Sequence, residues 1–424
     1  MARKMKDSGI EWIGEIPEGW EVHRIKNHFL IISGSGFKPE LQGQSTGDFP
    51  VCKASDISSS GHYLHTSANY ITTNFVKSQR FSIIPKGSIL FAKIGEAMRK
   101  NNRSLCLCDC CVDNNCQGLV PKKISSEFSY YLFTCIDMTW FDNAGTIPCI
   151  NNQKLYDCRF PFPSHDEQLL IANALNLQCT KINEILSHIR SSIEEYKKLK
   201  QAVITQAVTK GVRGEREMKD SGVEWIGEIP VDWTIQRFAR VAEVKSNLVS
   251  PDNYLEYPQI SPENIEKDSG KLLLPCKTVG EVGIISGNHL FHKGQILYSK
   301  IRPKLNKVCI APFDGLCSAD MYPIETNNDT RYIMYCILSD GFLQQVSMIT
   351  ENRVKMPKIN QTELSKLLLA MPNFLAEQKE IADYLDAKCA EIDKLISKKE
   401  QLVKELESYK KSLIYEVVTG KREV

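Results

Sequence analysis

Residues 5–20 read MKDSGIEWIGEIPEGW and residues 218–233 read MKDSGVEWIGEIPVDW, with thirteen of the sixteen positions identical at an offset of 213. A match that long within one chain marks a duplication, and an internal repeat governs the whole architecture. Two further pairs extend it. His165-Asp166-Glu167-Gln168 with Ile171-Ala172 answers Ala376-Glu377-Gln378 with Ile381-Ala382, at an offset of 210. ITQAVTKG (204–211) answers IYEVVTGK (414–421). A weaker pair, PKGSILFAKI (85–94) and HKGQILYSKI (292–301), lies inside regions that otherwise differ. Each half therefore has a short opening motif, a body that has diverged, and a tail that has not. A shared framework presenting two different surfaces fits that pattern better than uniform drift.

The 424 residues are 25% charged and 42% hydrophobic, with a formal net charge of +2. That is ordinary globular composition and excludes wholesale disorder, collagen and a small disulfide scaffold. No apolar run reaches the ~20 residues of a membrane helix. The first residues, MARKMKDSGIEW, show no secretory signal, so the fifteen cysteines are expected as reduced thiols in a cytoplasmic protein.

The bodies carry short strand signals such as FSIIP (81–85) and GQILYSKI (294–301), interrupted by helical patches FSYYLFTCI (128–136) and TRYIMYCILSD (330–340). The tails are helical. Ser164 or Asp166 caps the first, and Ile171, Leu175, Ile182, Ile185, Ile189, Ile193, Tyr196, Leu199 and Val203 recur mostly at steps of three and four. In the second tail Leu385, Ile392, Leu406 and Leu413 hold one heptad position, and Leu395, Leu402 and Tyr409 another. Long helices with such stripes need a partner helix. If the halves obey a pseudo-two-fold, tail 1 runs from body 1 to body 2 and tail 2 returns, so the tails are antiparallel. The expected fold is α+β: two mixed α/β domains with two long antiparallel helices as a coiled coil, in a pseudo-two-fold internal repeat. The boundaries are 1–165, 166–217, 218–375 and 376–424.

The search for chemistry returns few features. There is no GxxxxGK[ST], no GxGxxG after a strand and no HExxH. Pro251-Asp252 lacks the Glu-x-Lys of a nuclease-like cluster, and no Asn-Pro-Pro-aromatic or Asp-Pro-Pro-Tyr segment of an amino-methyltransferase occurs. His62 with His65, and His289 with His292, have no neighbouring Glu and read as loop residues. Cys106, Cys108, Cys110, Cys111 and Cys116 lack a second knuckle for zinc and read as small packed hydrophobes.

Basic clusters are more informative. Lys93, Arg99, Lys100 and Arg103 lie in KIGEAMRKNNR (93–103), and Lys300, Arg302, Lys304 and Lys307 in KIRPKLNK (300–307). Both follow the equivalent strand of the weaker repeat. Arginine and lysine suit phosphates and guanine edges, and asparagine and glutamine suit adenine edges. Asn101, Asn102, Asn114, Asn115 and Gln117 are therefore DNA-binding candidates in body 1, and Asn306 and Arg353 in body 2. Residues 22–165 hold 15 basic against 10 acidic residues, and residues 235–375 hold 16 against 14.

The motif I-E-W-I-G-E-I-P-x-x-W, the E-Q-x-x-I-A start of each tail and the A-V-T-K-G or V-V-T-G-K end together resemble the specificity subunit of type I restriction–modification systems. The resemblance spans both halves in order. It implies two target recognition domains, each reading one half of a bipartite, asymmetric site in double-stranded DNA. It implies tails that set the spacer and dock two copies of the modification (methyltransferase) subunit, with restriction subunits recruited in turn. It implies no catalysis and no cofactor on this chain, S-adenosylmethionine, ATP and magnesium being carried by partner subunits. An enzyme with a degenerate nuclease or methyltransferase site is the alternative, and a two-reader transcriptional regulator a weaker one.

Overall fold

The computed structural model describes residues 3–143, 145–351, 353 and 357–424. Contacts divide the chain into two compact units, Met1–His188 with Leu402–Val424, and Ile189–Gln401. The divisions fall inside the two long helices, His165–Lys210 and Leu375–Val418, so each unit combines one body with parts of both tails.

In the first unit a five-stranded sheet has the order Phe29–Ser33, Cys116–Pro121, Ile89–Ala92, Arg103–Cys106, Tyr63–Leu64. In the second, a four-stranded sheet has the order Glu243–Val244, Met321–Glu325, Ile296–Ser299, Val308–Ile310. The first four positions match strand for strand. Ile89 faces Leu105 as Ile296 faces Ile310. A second sheet in each body repeats a parallel pair: Val51 with Cys111, and Gln259 with Leu316. The central strands Ile89–Ala92 and Ile296–Ser299 are buried throughout, which explains their continuous apolar runs. FSIIP (81–85), expected as a strand, forms only an isolated bridge at Ile84 to Cys110. Pro85 has no amide to extend a ladder, and Ile83 turns outward.

The opening motif folds identically twice. Met5–Asp7 pairs with Glu15–Pro17, and Met218–Asp220 with Glu228–Pro230. The intervening turn needs left-handed backbone at Gly9 and Gly14, and again at Gly222 and Gly227, where glycine avoids the Cβ clash. The E-Q pair of each tail has a matching double task. Trp20 Nε1 donates to Glu167 (3.0 Å) and Trp233 Nε1 to Glu377 (3.2 Å). Gln168 accepts from the Ser125 amide and Gln378 from the Asp329 amide, both at 3.0 Å. Ser125 and Asp329 are the N-caps of helices Ser126–Thr134 and Thr330–Leu338. Four otherwise orphan groups at a helix start are thereby reduced.

In each unit the two long helices run antiparallel. In the first, Trp20 touches Glu167 near the start of one helix and lies beside Gly420, just past the end of the other. Farther along, Asn183 accepts from Lys410 Nζ at 2.8 Å. In the second unit Trp233 lies beside Gly211 and Glu377, and Lys200 pairs with Asp393 at 3.0 Å. The seam takes in Leu175, Ile182, Ile189, Tyr196 and Val203 of the expected stripe, but its second row shares only Ile193 with that stripe. It runs through Cys179, Leu186, Ile193, Lys200 and Ala207, leaving Ile185 and Leu199 each 48% exposed. In the other helix the second row is Cys389, Ile396, Val403, Lys410 and Val417, and Leu395, Leu402 and Tyr409 face outward. The apolar letters mislead because a seam position is filled by the buried Lys200, its charge answered by Asp393, while Leu199 beside it faces solvent. Lys399, which interrupts the pattern, lies over the Tyr196 ring at 5.6 Å.

Candidate nucleic-acid interface

The two basic clusters occupy equivalent hairpins. Each leaves the central strand, passes a lysine and an isoleucine, and returns along the next strand. A second segment clamps the hairpin base in the same way both times. Ile150 N donates to Lys93 O (3.0 Å) and Gly95 N to Pro148 O (2.8 Å); Ile359 N donates to Lys300 O (3.0 Å) and Arg302 N to Pro357 O (2.8 Å). Ile94 bridges Cys149 as Ile301 bridges Lys358. Asn151 and Asn360 then cap the helices Asn152–Asp157 and Gln361–Leu364. Two bodies with little common sequence thus build one platform. Besides the repeat at 85–94 and 292–301, the clamping segments carry a short signal that was not singled out: PCIN (148–151) answers PKIN (357–360), a match too short to stand out where the surrounding residues differ.

The candidates divide by burial. Lys100, Arg302 and Lys304 are exposed, without a side-chain hydrogen bond or ion pair among the described residues. Lys93 is half-buried at the hairpin base. Arg99 is exposed and bonded to Glu96 at 2.7 Å. Asn102 is half-buried and donates to Ser58 (2.9 Å). Asn114 and Asn115 are exposed, Asn115 being turned toward Asp113. Lys300 lies over the Tyr322 ring at 5.1 Å, and Lys307 Nζ donates to the Pro262 carbonyl at 2.6 Å. Arg353 is exposed but forked onto Glu363, and that hydrogen bond holds the Glu363 carboxyl below the usual carboxylate range.

Four candidates need correction, because their polar groups are turned inside the body. Arg103 is 5% exposed and donates to the Ile136 carbonyl (2.9 Å) and to Asn101; burial pushes its guanidinium down to about 10. Gln117 is fully buried and donates to Asn152 at 3.1 Å. Asn101 and Asn306 hold turns: their amides donate to the carbonyls of Ile136 (3.1 Å) and Leu338 (3.3 Å). A buried polar group without such a partner is costly, so these contacts support the body's own fold. His289, expected in a loop, is buried in the strand Asn288–Phe291. Cys106, Cys110 and Cys116 lie in an aliphatic cluster with Ile84 and Leu90. Cys111 packs with Val51 and Val76, where burial pushes its thiol up to about 12.

Charge removal at the exposed tip is therefore the informative change. Arg302→Ala with Lys304→Ala is expected to weaken DNA binding by the assembled complex and to flatten its salt dependence by about one unit of slope per lost phosphate contact. Arg353→Ala, whose charge is already answered by Glu363, is expected to leave the slope unchanged. Equal slopes for all three proteins, measured by titration at several salt concentrations, would place the tip away from DNA.

Among the described residues no helix is long and apolar enough to cross a membrane. The family described as the type I restriction modification DNA specificity domain matches residues 17–195 and 230–405. The chain is 35% identical over 278 residues to the EcoDI specificity subunit of Escherichia coli, covering 62% of each protein. It is 22% identical over 380 residues to the MjaIX specificity subunit of Methanocaldococcus jannaschii, covering 85% of this chain and 84% of that protein. The fold matches, at a TM-score of 0.68 and 14% identity, a solved chain from a study of complex assembly and conformational transition of the type I R-M system; the match covers 96% of this chain and 99% of that one.

Proposed function

Since the chain belongs to the type I restriction–modification DNA specificity family, we propose that it reads a bipartite, asymmetric site in double-stranded DNA, one half through each body. The observation that carries this reading is the pair of equivalent clamped hairpins: the same backbone platform presents Arg99 and Lys100 in one body and Arg302 and Lys304 in the other. A common mount with different tips suits two different half-sites. In this reading the chain works in the cytoplasm and scaffolds two copies of the modification subunit, with restriction subunits joining them. The duplication supports two equivalent docking sites, since opening motifs and tail ends are copied while the bodies are not. Catalysis, S-adenosylmethionine, ATP and magnesium belong to those partners.

The test is methylation-motif mapping of a host carrying this chain and its modification subunit. The expected product is a two-part motif with an unspecified gap. One heptad inserted in each long helix preserves the seam phase and adds ~10 Å of helix, about three base pairs. The gap is expected to lengthen while the bases on either side stay the same. A continuous motif, or altered bases with a constant gap, would refute the reading.

A further inference from the structure

We propose that Asn101 and Asn306 are positioning residues that fix the pose of the two DNA-facing hairpins; this rests on the function proposed above. Each asparagine stands where the hairpin turns back into its strand. Both have left-handed backbone, with φ of 59° and 42°, a region that asparagine tolerates far better than most residues with a Cβ. Both close the turn through their own amide: Asn101 N donates to Met98 O (3.0 Å), and Asn306 N to Pro303 O (2.9 Å). Both then send the carboxamide N–H to a main-chain carbonyl at the end of the neighbouring helix, Ile136 or Leu338. Glycine could supply the backbone conformation, but only asparagine adds the tether.

The spacing strengthens the argument. Eight positions separate Lys93 from Asn101 and six separate Lys300 from Asn306. The first hairpin contains a helical turn, Gly95–Arg99, and the second a tighter one, Pro303–Leu305. Loop length and tip residues differ, yet the anchor is the same residue in the same conformation with the same kind of acceptor. A residue kept only by inherited spacing would not follow a change in loop length.

The two anchors are not equally supported. Asn101 Oδ1 also accepts from Arg103 and from the Met138 amide. Asn306 is 1% exposed and its Oδ1 has no hydrogen-bond partner among the described residues. Its tether is one N–H to the Leu338 carbonyl, which also accepts from Gln201 of the long helix. The second hairpin therefore depends more heavily on a single bond. Releasing it leaves a loop that must be ordered on binding, at the expense of specific affinity, whereas phosphate contacts to arbitrary DNA do not need one fixed pose.

The experiment compares Asn306→Gly and Asn101→Gly with the parent chain, each assembled with the modification subunit. Affinity is measured for the cognate duplex, for duplexes altered in one half, and for unrelated DNA. Asn306→Gly is expected to lose about tenfold of its preference for the correct second half-site, the discrimination of one base contact. Binding to unrelated DNA, the salt slope and the other half-site remain unchanged. Asn101→Gly loosens the first half-site, by less. Unaltered discrimination in Asn306→Gly would overturn the proposal, as would an equal loss on unrelated DNA, which marks a general defect. If Asn306→Gly does not assemble, Asn101→Gly carries the test at the first half-site, where unaltered discrimination, or an equal loss on unrelated DNA, overturns the proposal. A parent complex without sequence preference would overturn the functional reading instead, independently of the variants.

Discussion

Glu377→Ala is expected to destabilise the second unit by about 2–3 kcal/mol, the cost of leaving a buried donor and a half-buried guanidinium each short of one acceptor. The Glu377 side chain is 1% exposed, and its Oε1 accepts from both Arg216 and Trp233 Nε1. Truncation leaves the indole N–H without its acceptor, beside a guanidinium that is only 17% exposed and keeps one partner, Asp232 at 2.6 Å. The matching change in the first unit, Glu167→Ala, removes the same kind of contacts, to Trp20 and Arg3. There the acid is 26% and the arginine 31% exposed, so water replaces part of what is lost and the expected cost is about 1–2 kcal/mol. Chemical denaturation of the two variants, with partner-free chain, measures the difference. Equal losses would show that the burial difference between these duplicated sockets has no energetic consequence.

Replacing residues 22–163 with the corresponding body of a relative is expected to change one half of the methylated motif completely and to leave the other half and the gap untouched. The junctions make this feasible. Strand Glu21–Arg24 pairs with Arg159–Phe162, so both ends of the segment meet at one two-stranded seam. Tail contacts from Trp20, Glu167 and Gly420 lie outside the exchanged residues. Gln168 meets the Ser125 backbone amide, which any incoming residue except proline supplies. Motif mapping with the same modification subunit decides the matter: a swap that altered both halves would mean that the bodies do not read independently.

Much of this organisation was legible in the letters. The duplicated MKDSGxEWIGEIP motif and the E-Q-x-x-I-A starts identified a twofold repeat and two long helices, because turn glycines, caps and heptads act through neighbours in sequence. One seam row was legible for the same reason: Leu175, Ile182, Ile189, Tyr196 and Val203 are all apolar. The other row was not, since burial of Lys200 depends on Asp393, which is remote in sequence. The candidate interface divides along the same line. Clustering of Lys93, Lys100, Arg302 and Lys304 is a local property and was readable directly. Whether Arg103, Gln117, Asn101 or Asn306 points outward depends on which carbonyl or amide lies nearby in the folded body. Ile136, Asn152 and Leu338 supply those partners from 30 or more residues away. The equivalence of the two bodies was likewise nearly invisible in sequence. Strand order and clamp are made largely by backbone hydrogen bonds, which almost any side chain permits, so divergence left only short traces such as PCIN (148–151) against PKIN (357–360), while the tertiary structure kept the platform.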